Sequence, residues 1–288
     1  MKKFIGFLLL LVLYLSVIVP FTSYLRQKPY VEKLGYVPKV QVLKCLAADQ
    51  KEFVAAAMVM KVLMYYGSLV EKNANKIEVP VDYPAMSRII HAAVKLDPYN
   101  MDAYYFAQAT LVWDAKQVVL ANNLLEYGMH YRTWDYMLPF FAGFNYAYFL
   151  KDYEKAAKYY KMAGDLSGSE LYINLAGRYF YESGQSDMAI AYLSAMEKSA
   201  RNDSIRKTFR TRLQAITEAR RLEVARDRFV KENGRLPVSV EELLLRKYLD
   251  KMPVDPYGGR YYFEPDGKVR STSKFAFGTA GAKKNGVE

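Results

Sequence analysis

The sequence predicts a mostly α-helical protein: an α-solenoid of about four helix pairs, with a transmembrane helix before it and, after it, a long capping helix and a small helix plus β-hairpin. Three observations support this fold class. A long uncharged stretch lies near the N-terminus, apolar and small residues repeat along the middle of the chain, and Pro- and Gly-rich turns replace the helical period after Gly234.

Composition narrows the class of protein before any motif does. Charged residues make up 25% of the chain, which argues against many membrane spans, and the apolar fraction of 52% argues against a mostly disordered chain. One cysteine and two histidines exclude a disulfide framework and a Cys-rich zinc site. The net charge is +11 and 26 residues are tyrosine, which together indicate a Tyr-rich globular body with basic regions.

Residues 1–25 are predicted to form a transmembrane signal-anchor, followed by a linker at 26–42. The 22 residues from 4 to 25 carry no charge, and at about 1.5 Å per residue they would cross a hydrocarbon layer of about 30 Å. The stretch lacks the small-residue cleavage pattern of a signal peptide, although a cleaved signal peptide is the alternative. The Lys pair before it favours an N-terminus inside, so we expect a single pass in the inner (cytoplasmic) membrane with the body in the periplasm.

Residues 43–200 contain four copies of a helix–turn–helix pattern. Equivalent positions follow one another at steps of 35, 35 and 33 residues, namely Met86, Ala121, Ala156 and Ala189. Further apolar or small residues come four and seven positions later, which places all of them on one stripe of a helix. Another apolar helix precedes each of these, at 50–70, 101–113, 134–150 and 170–181.

The repeats resemble the tetratricopeptide repeat (TPR) family. The resemblance rests on FNYAYFLKDYEKAAKYYKMA, on LAGRYFYESGQSDMAIAYLSAM and on KLDP at 95–98. Gly177 and Ala109 take the place of the family's small residue on the first helix, whereas the third unit has Phe144 there and Gly143 one position earlier. Since one unit cannot bury its apolar faces alone, we expect the units to stack into a curved solenoid.

In the family that these repeats resemble, the first helix of each pair lines a concave surface that binds a peptide or partner helix. The matching positions, which we call the groove set, are Phe106, Thr110, Trp113, Phe141, Asn145, Tyr148, Asn174, Arg178 and Tyr181. Aromatic residues suit protein binding because they offer contact area at low entropic cost, but each could equally belong to the core. Asn145, Asn174 and Arg178 are the strongest candidates, since burial would leave their polar atoms needing partners.

Residues 201–233 are predicted to form one long basic helix. The stretch 201–235 holds 11 Lys and Arg against 5 Asp and Glu, a net charge of +6. The helix could cap the last repeat, or its basic face could bind an anionic lipid or an acidic partner through Arg206, Arg210, Arg220, Arg221 and Arg228. We expect no nucleic-acid partner, because no nucleic-acid-binding motif accompanies these charges.

Residues 234–275 are predicted to form a short helix and a β-hairpin. Ser239 begins a capping box that opens a helix to Leu249, and two strands follow at 261–263 and 269–273. With NGRLP at 233–237 and PVDPYG at 253–258, this segment resembles the C-terminal part of the major pseudopilins of type II secretion. The acidic calcium-binding loop of that family has no counterpart here, so we expect a packing module, and a disordered tail at 276–288.

The sequence contains no phosphate-binding Gly loop, metalloprotease, redox or serine-hydrolase motif. His91 and His130 are interpreted as structural or surface residues, and Cys45 as a small buried hydrophobe. We therefore expect a protein that is not an enzyme and needs no cofactor or metal. The hypothesis is a scaffold or adaptor that is anchored in the membrane through residues 4–25 and binds envelope proteins of secretion, pilus or polysaccharide machinery. The alternative is a structural filament component of the pilin or pseudopilin kind.

Overall fold

The computed structural model describes residues 2–27, 34–74 and 79–273. It is mostly helical and has one small antiparallel sheet of two strands within the described residues, so the predicted helical fold class is confirmed at this level. The chain divides into two compact units, Met1–Ala115 (unit 1) and Lys116–Glu288 (unit 2). The predicted tail at 276–288 and a part of the predicted linker lie outside the described residues.

The described residues of unit 1 form five helices, and the last of them continues as a π-helix over Gln108–Asp114. They are α1 (Lys2–Gln27), α2 (Val40–Ala47), α3 (Lys51–Ala74), α4 (Tyr83–Leu96) and α5 (Met101–Ala107). The core of this unit lies between α3 and α4, where Val62 and Met86 are fully buried. Asp82 caps α4 through its Oδ1 atom, which accepts the N–H of Ala85 at 3.0 Å.

Helices α1 and α3 of unit 1 each contain a long apolar stretch. Among the described residues, one stretch, Lys51–Lys72 in α3, is long and apolar enough to cross a membrane. Core helices of soluble proteins share that length and composition, so this is weak evidence for a span. The apolar stretch described in α1 is shorter, Leu9–Tyr24, and nearly all of its described side chains are exposed.

Unit 2 contains a row of helices in which each one from α6 to α11 packs against the next in sequence. The helices are α6 (Val118–Tyr131), α7 (Met137–Asn145, continuing as a π-helix over Tyr146–Leu150), α8 (Tyr153–Ser167), α9 (Glu170–Glu182), α10 (Ser186–Lys198), α11 (Asp203–Asn233) and α12 (Val240–Leu245). Strands β1 (Tyr261–Phe263) and β2 (Val269–Ser271) pair in antiparallel register, with Tyr262 opposite Arg270.

The equivalent positions of the four predicted copies are all buried. Met86 in α4, Ala121 in α6, Ala156 in α8 and Ala189 in α10 are each at most 1% exposed. The 33–35-residue spacing therefore marks the packing stripe of every second helix, as the 3.6-residue helical period requires.

Two glycines of unit 2 let neighbouring helices approach closely. A Cβ atom on Gly177 would lie 2.9 Å from Cδ1 of Leu193, and one on Gly143 would lie 3.2 Å from Cγ of Tyr160. Gly143, one place before the expected position, is therefore the site of close approach in its unit. The stretch from Gly143 to Ala156 is one residue longer than that from Gly177 to Ala189, and the π-turn after α7 takes up that residue.

Ala109 does not have the role that the repeat alignment gave it. Its side chain is exposed, whereas its neighbours Gln108 and Thr110 are buried. Ala109 lies in the π-helical continuation of α5, in which the N–H of Ala115 bonds to the carbonyl of Thr110 five residues earlier. The wider turn changes which side chains face the core, so the prediction of Ala109 as a close-packing position is wrong.

The long helix α11 covers nearly all of the predicted range 201–233. The side chain of Asn202 accepts the N–H of Ile205 at 2.9 Å, and Gly234 ends the helix with a positive φ of 69°. Phe209, Ile216 and Phe229 are buried along the length of the helix. The C-terminal helix α12 is capped by Ser239 as predicted but ends at Leu245 instead of Leu249, and Lys247 then adopts a positive φ of 60°.

The C-terminal hairpin packs against α9 and α11. Tyr181 on α9 donates its hydroxyl to the carbonyl of Val269 at 2.6 Å, and Arg226 on α11 donates to the carbonyl of Gly267 at 2.7 Å. The hydroxyl of Tyr261 on β1 donates to the carbonyl of Ala215 at 2.9 Å. These hydrogen bonds join segments far apart in sequence, so the hairpin is part of the packed body of unit 2.

At low pH the first turn of α12 should become less stable, because the carboxylate of Glu242 is then protonated. Glu242 accepts hydrogen bonds from Arg235 and from the N–H of Val238, and these contacts lower its pKa from 4.5 to about 2. A lowered pKa stabilises the folded state above the unfolded pKa, and this contribution is lost as the pH falls from about 5 towards 2. We therefore expect Glu242→Gln to lower the melting temperature at pH 7, and this difference from the unmodified protein should vanish near pH 2.

Thermal melts followed by circular dichroism between pH 2 and pH 7 measure this effect. Glu154→Gln is the control, because it removes an exposed carboxylate from the first turn of another helix, α8. A difference between the Glu242→Gln variant and the unmodified protein that is equal at every pH would contradict the assignment.

Candidate partner-binding site on α9

Three members of the groove set lie in unit 1, and one of them is not accessible. Thr110 is 2% exposed, and its hydroxyl donates to the carbonyl of Phe106 at 2.8 Å. Phe106 is half-buried and packs edge-to-face against Tyr66, with ring centroids 5.8 Å apart. Trp113 is 47% exposed. Placing Thr110 in the groove is therefore wrong, because the side chain is internal and its hydroxyl is bonded to its own helix.

Two members in unit 2 are also buried. Asn145 is fully buried, and its Nδ2 atom donates to Oδ1 of Asn122 at 2.8 Å. Tyr181 is 1% exposed and holds the hairpin through the carbonyl of Val269. Their polar atoms find partners inside the protein, which removes the reason for expecting them on a binding surface. The prediction that they line a groove is wrong.

Phe141 and Tyr148 lie at the surface of α7 and its π-helical continuation. Phe141 is half-buried beside Phe140, with ring centroids 5.3 Å apart. Tyr148 is 55% exposed, stacks on Phe144 at 5.4 Å, and has the Nζ atom of Lys151 5.2 Å from its ring centroid. Both are accessible, and both lie among other aromatic rings.

Asn174 and Arg178 lie one turn apart on the same side of α9, and both are half-buried. The Oδ1 atom of Asn174 and the Nε atom of Arg178 are buried and have no hydrogen-bond partner among the described residues. The guanidinium of Arg178 lies over the ring of Tyr179, 5.4 Å from its centroid. One unsatisfied acceptor and one unsatisfied donor thus lie on the same side of α9.

A cavity of about 350 Å³ lies between α9 and α11 beside Asn174. Its lining consists of Glu170, Asn174, Ser204, Lys207, Thr208, Thr211, Arg212 and Tyr257. The pKa of Arg212 is lowered because the side chain is buried, and nearby Arg178 lowers it further, while Tyr257 and Glu170 act in the opposite direction. Every lining residue is polar or charged, and Lys207 and Arg212 outnumber Glu170, which suits carbonyl oxygens or an anionic group.

A row of aromatic rings next to Arg178 was not predicted from the sequence. Successive ring centroids lie 5.1–6.4 Å apart across α7, α8 and α9, in the order Tyr136, Tyr172, Phe140, Tyr160, Tyr179 and Tyr153. Tyr136 is 39% exposed, and most of the other rings are half-buried. Burial raises the pKa of Tyr172 and Tyr179, so both rings are neutral near pH 7.

Residue spacing in the sequence could have indicated part of this aromatic row. Tyr136 and Phe140 are four residues apart, and Tyr172 and Tyr179 are seven apart, which places each pair on one helix face. The family alignment gave α8 only a packing role, so Tyr153 on that helix was missed as a surface residue. We call Asn174, Arg178, this aromatic row and the adjoining cavity the α9 site.

The predicted basic face of α11 is largely neutralised. Four of its five arginines form ion pairs within unit 2: Arg206 with Asp203, Arg210 with Glu197, Arg220 with Asp187, and Arg221 with Glu218. Arg228 is exposed and forms no ion pair with any described residue. Two of these pairs join α11 to α10, which favours the interpretation of α11 as a capping helix over that of a free basic platform.

The remaining candidate residues for chemistry lie apart from the α9 site. His91 is half-buried with its Nδ1 atom 2.8 Å from the carbonyl of Ser87, and exposed His130 lies 2.9 Å from that of Glu126. No group of three or more potential metal ligands occurs in the part of the chain that the structure describes. Cys45 is exposed on α2, so the prediction of a buried cysteine is wrong.

Comparison with known proteins leaves the chain without an assigned family. No family model matches it, and no curated protein matches it either. The argument for a function therefore rests on the geometry of the described residues.

Proposed function

We propose that this protein is a membrane-anchored adaptor whose helix pairs form a TPR-like solenoid and which binds another envelope protein at the α9 site. Residues 4–25 would anchor it in the inner membrane, with its body in the periplasm and its partner drawn from secretion, pilus or polysaccharide machinery. The described part of α1, an apolar helix with exposed side chains, supports the anchor.

The observation that carries the proposal is the pair of unsatisfied polar atoms on α9 beside the aromatic row. Oδ1 of Asn174 accepts hydrogen bonds and Nε of Arg178 donates them. A peptide backbone presents one N–H and one C=O per residue, so a bound segment could satisfy both atoms once the half-buried side chains of Asn174 and Arg178 turn towards it. The half-buried rings beside them would supply contact area at little entropic cost.

The adaptor is favoured over the filament subunit by what the C-terminal hairpin does in unit 2. Its strands direct hydrogen-bonding groups inward, to Tyr181 on α9 and, through Tyr261, to α11. Arg270 on β2 forms a buried ion pair with Glu182. Groups that are used inside one chain are not available for assembly with neighbouring subunits.

Combined replacement of Asn174 and Arg178 by Ala tests the α9 site. We expect recovery of protein partners by proximity labelling in intact cells to fall by about tenfold, because a lost hydrogen bond to a charged group weakens binding by about 1.5 kcal/mol or more. The melting temperature should change little, since neither atom has a hydrogen-bond partner among the described residues.

Arg228→Ala and Asn123→Ala are the matched controls, because both residues are exposed and lie outside the α9 site. Unchanged recovery of every partner from the double variant would rule out the α9 site. Carbonate extraction of membranes tests the anchor separately, and release of the protein into the soluble fraction would contradict it.

A further inference from the structure

Helices α2 and α3 each carry a row of exposed apolar side chains. Leu46 is 76% exposed, Phe53 72% and Met64 68%. The set, which we call the α2–α3 face, consists of Val42, Leu46, Phe53, Met60, Met64 and Val70. On α3 the exposed residues at 53, 57, 60, 64 and 67 recur at steps of four and three, so they follow one side of the helix. An apolar surface of this extent calls for a partner.

The opposite side of α3 is already used. Val59 and Val62 are buried on that side, where α3 packs against α4. Helix α4 buries most of its surface and exposes Arg88 and Lys95 on the remaining side. A crossing α3 would take α4 with it and place these charges in hydrocarbon, which is costly. The geometry therefore favours α3 lying flat on a membrane over α3 crossing it.

The charges around the α2–α3 face fit a membrane surface. Between Phe53 and Val70 the sequence contains one charged residue, Lys61, which is exposed. Lys39 and Lys44 are also exposed, next to and within α2. Apolar side chains with lysines around them are typical of helices that lie at the boundary between headgroups and acyl chains, where lysine interacts with anionic lipid.

The chain connection brings this face close to a bilayer. Twelve residues separate Gln27, the end of α1, from Val40, the start of α2. At about 3.5 Å per residue they reach at most about 40 Å. If α1 is in the membrane, α2 and α3 are therefore held next to its surface at a high effective concentration.

We propose that the α2–α3 face lies on the surface of the membrane that α1 enters, in contact with anionic lipid headgroups and the upper part of the acyl chains. This inference rests on the anchor in the proposed function and does not depend on the α9 site. It gives the protein a second attachment that fixes the orientation of unit 1 at the bilayer, in addition to the tether.

Cys45, the single cysteine of the chain, provides the probe. It is exposed on α2 next to Leu46. The full-length protein is reconstituted into vesicles of phosphatidylethanolamine and phosphatidylglycerol, and Cys45 is labelled with an environment-sensitive fluorophore. We expect spin-labelled lipid to lower the emission severalfold relative to the same vesicles without the spin label. The emission should also be blue-shifted, and quenching by aqueous iodide should be severalfold weaker than in the unfolded protein.

Charge on the face should abolish the lipid contact. Phe53→Glu combined with Met64→Glu replaces two exposed side chains, so the fold should survive while lipid quenching is lost and iodide quenching is restored. Met188→Glu is the matched control, because Met188 is 52% exposed on α10 in unit 2 and its replacement should change neither signal. Vesicles of phosphatidylcholine alone should give weaker lipid quenching, because they offer the lysines no anionic headgroup.

The outcomes separate this inference from the anchor. Retention of the protein after carbonate extraction without lipid quenching at Cys45 would overturn the inference and leave the anchor standing. Protection from iodide without lipid quenching, in vesicles and in detergent alike, would show a second copy or a protein on this face and would also overturn it. If the variant with Phe53→Glu and Met64→Glu keeps its lipid quenching, the signal comes from the tether to α1. That result would contradict lipid contact by the α2–α3 face.

Discussion

Replacing Glu182 by Ala is expected to lower the free energy of unfolding by about 3–5 kcal/mol, because it removes the nearer of the two carboxylates that pair with buried Arg270 and leaves only Glu264, 3.3 Å from its Nε atom. Glu182 and Arg270 are both more than nine-tenths buried, and Oε1 of the first lies 2.6 Å from Nη1 of the second. Burial alone would lower the pKa of Arg270, but hydrogen bonds to Glu182 and Glu264 outweigh that effect and raise it. The guanidinium therefore stays charged in the folded state. Urea unfolding followed by circular dichroism measures the loss.

An exposed pair on the neighbouring helix is the natural control. Asp187 on α10 binds Arg220 at 2.8 Å, but its side chain is 74% exposed. Asp187→Ala should therefore cost no more than about 1 kcal/mol. Replacing both partners of the buried pair, by Glu182→Leu and Arg270→Met, should recover much of the loss, since no buried charge is then left alone. A cost for Glu182→Ala as small as that for Asp187→Ala would show that water reaches Arg270.

The ion pair also matters for the α9 site. Glu182 ends α9 and Arg270 lies on β2, so the pair joins the helix that carries Asn174 and Arg178 to the C-terminal hairpin. Tyr257, in the segment before the hairpin, lines the cavity beside Asn174. The C-terminal segment before the hairpin is therefore part of the wall of the candidate site.

Local signals in the sequence predicted the elements well, because they act within a few residues. Asn202 and Gly234 delimit α11 through a side-chain cap and a left-handed backbone conformation, and both can be read from residue type. The 33–35-residue period identified Ala156 and Ala189 as packing positions, because helical periodicity determines which residues share a face.

What the sequence could not show is which polar atoms are satisfied by residues far away in the chain. Asn145 was expected at the surface, but its partner Asn122 is 23 residues away. Tyr181 bonds to a carbonyl 88 residues away. The sequence also failed to predict that Cys45 is exposed. Residue type sets a preference for burial, but tertiary packing decides which side of α2 is covered.

Replacing Gly177 by Leu is expected to cost about 3 kcal/mol of stability, the second largest effect after the buried ion pair, because the position has no room for a side chain. Even a Cβ atom would lie 2.9 Å from Cδ1 and 3.0 Å from Cγ of Leu193. These atoms belong to a fully buried leucine on α10 that has little freedom to move. The side chain would therefore force α9 away from α10. Urea unfolding measures the loss, and weaker partner recovery should accompany it because α9 carries Arg178.

Helix propensity favours replacing a helical glycine by alanine, whereas the clash with Leu193 opposes it at Gly177. A glycine without such a contact therefore separates the two effects. A glycine inside a helix costs about 1 kcal/mol relative to alanine, and a Cβ atom on Gly67 in α3 would meet no other atom within 4 Å. Gly67→Ala should therefore stabilise the protein by up to about 1 kcal/mol, whereas Gly177→Ala should destabilise it because the contact with Leu193 outweighs the gain in propensity. In a Leu193→Ala background the clash is gone, and Gly177→Ala should become neutral or stabilising. Equal effects at both glycines would mean that α9 and α10 are not in close contact.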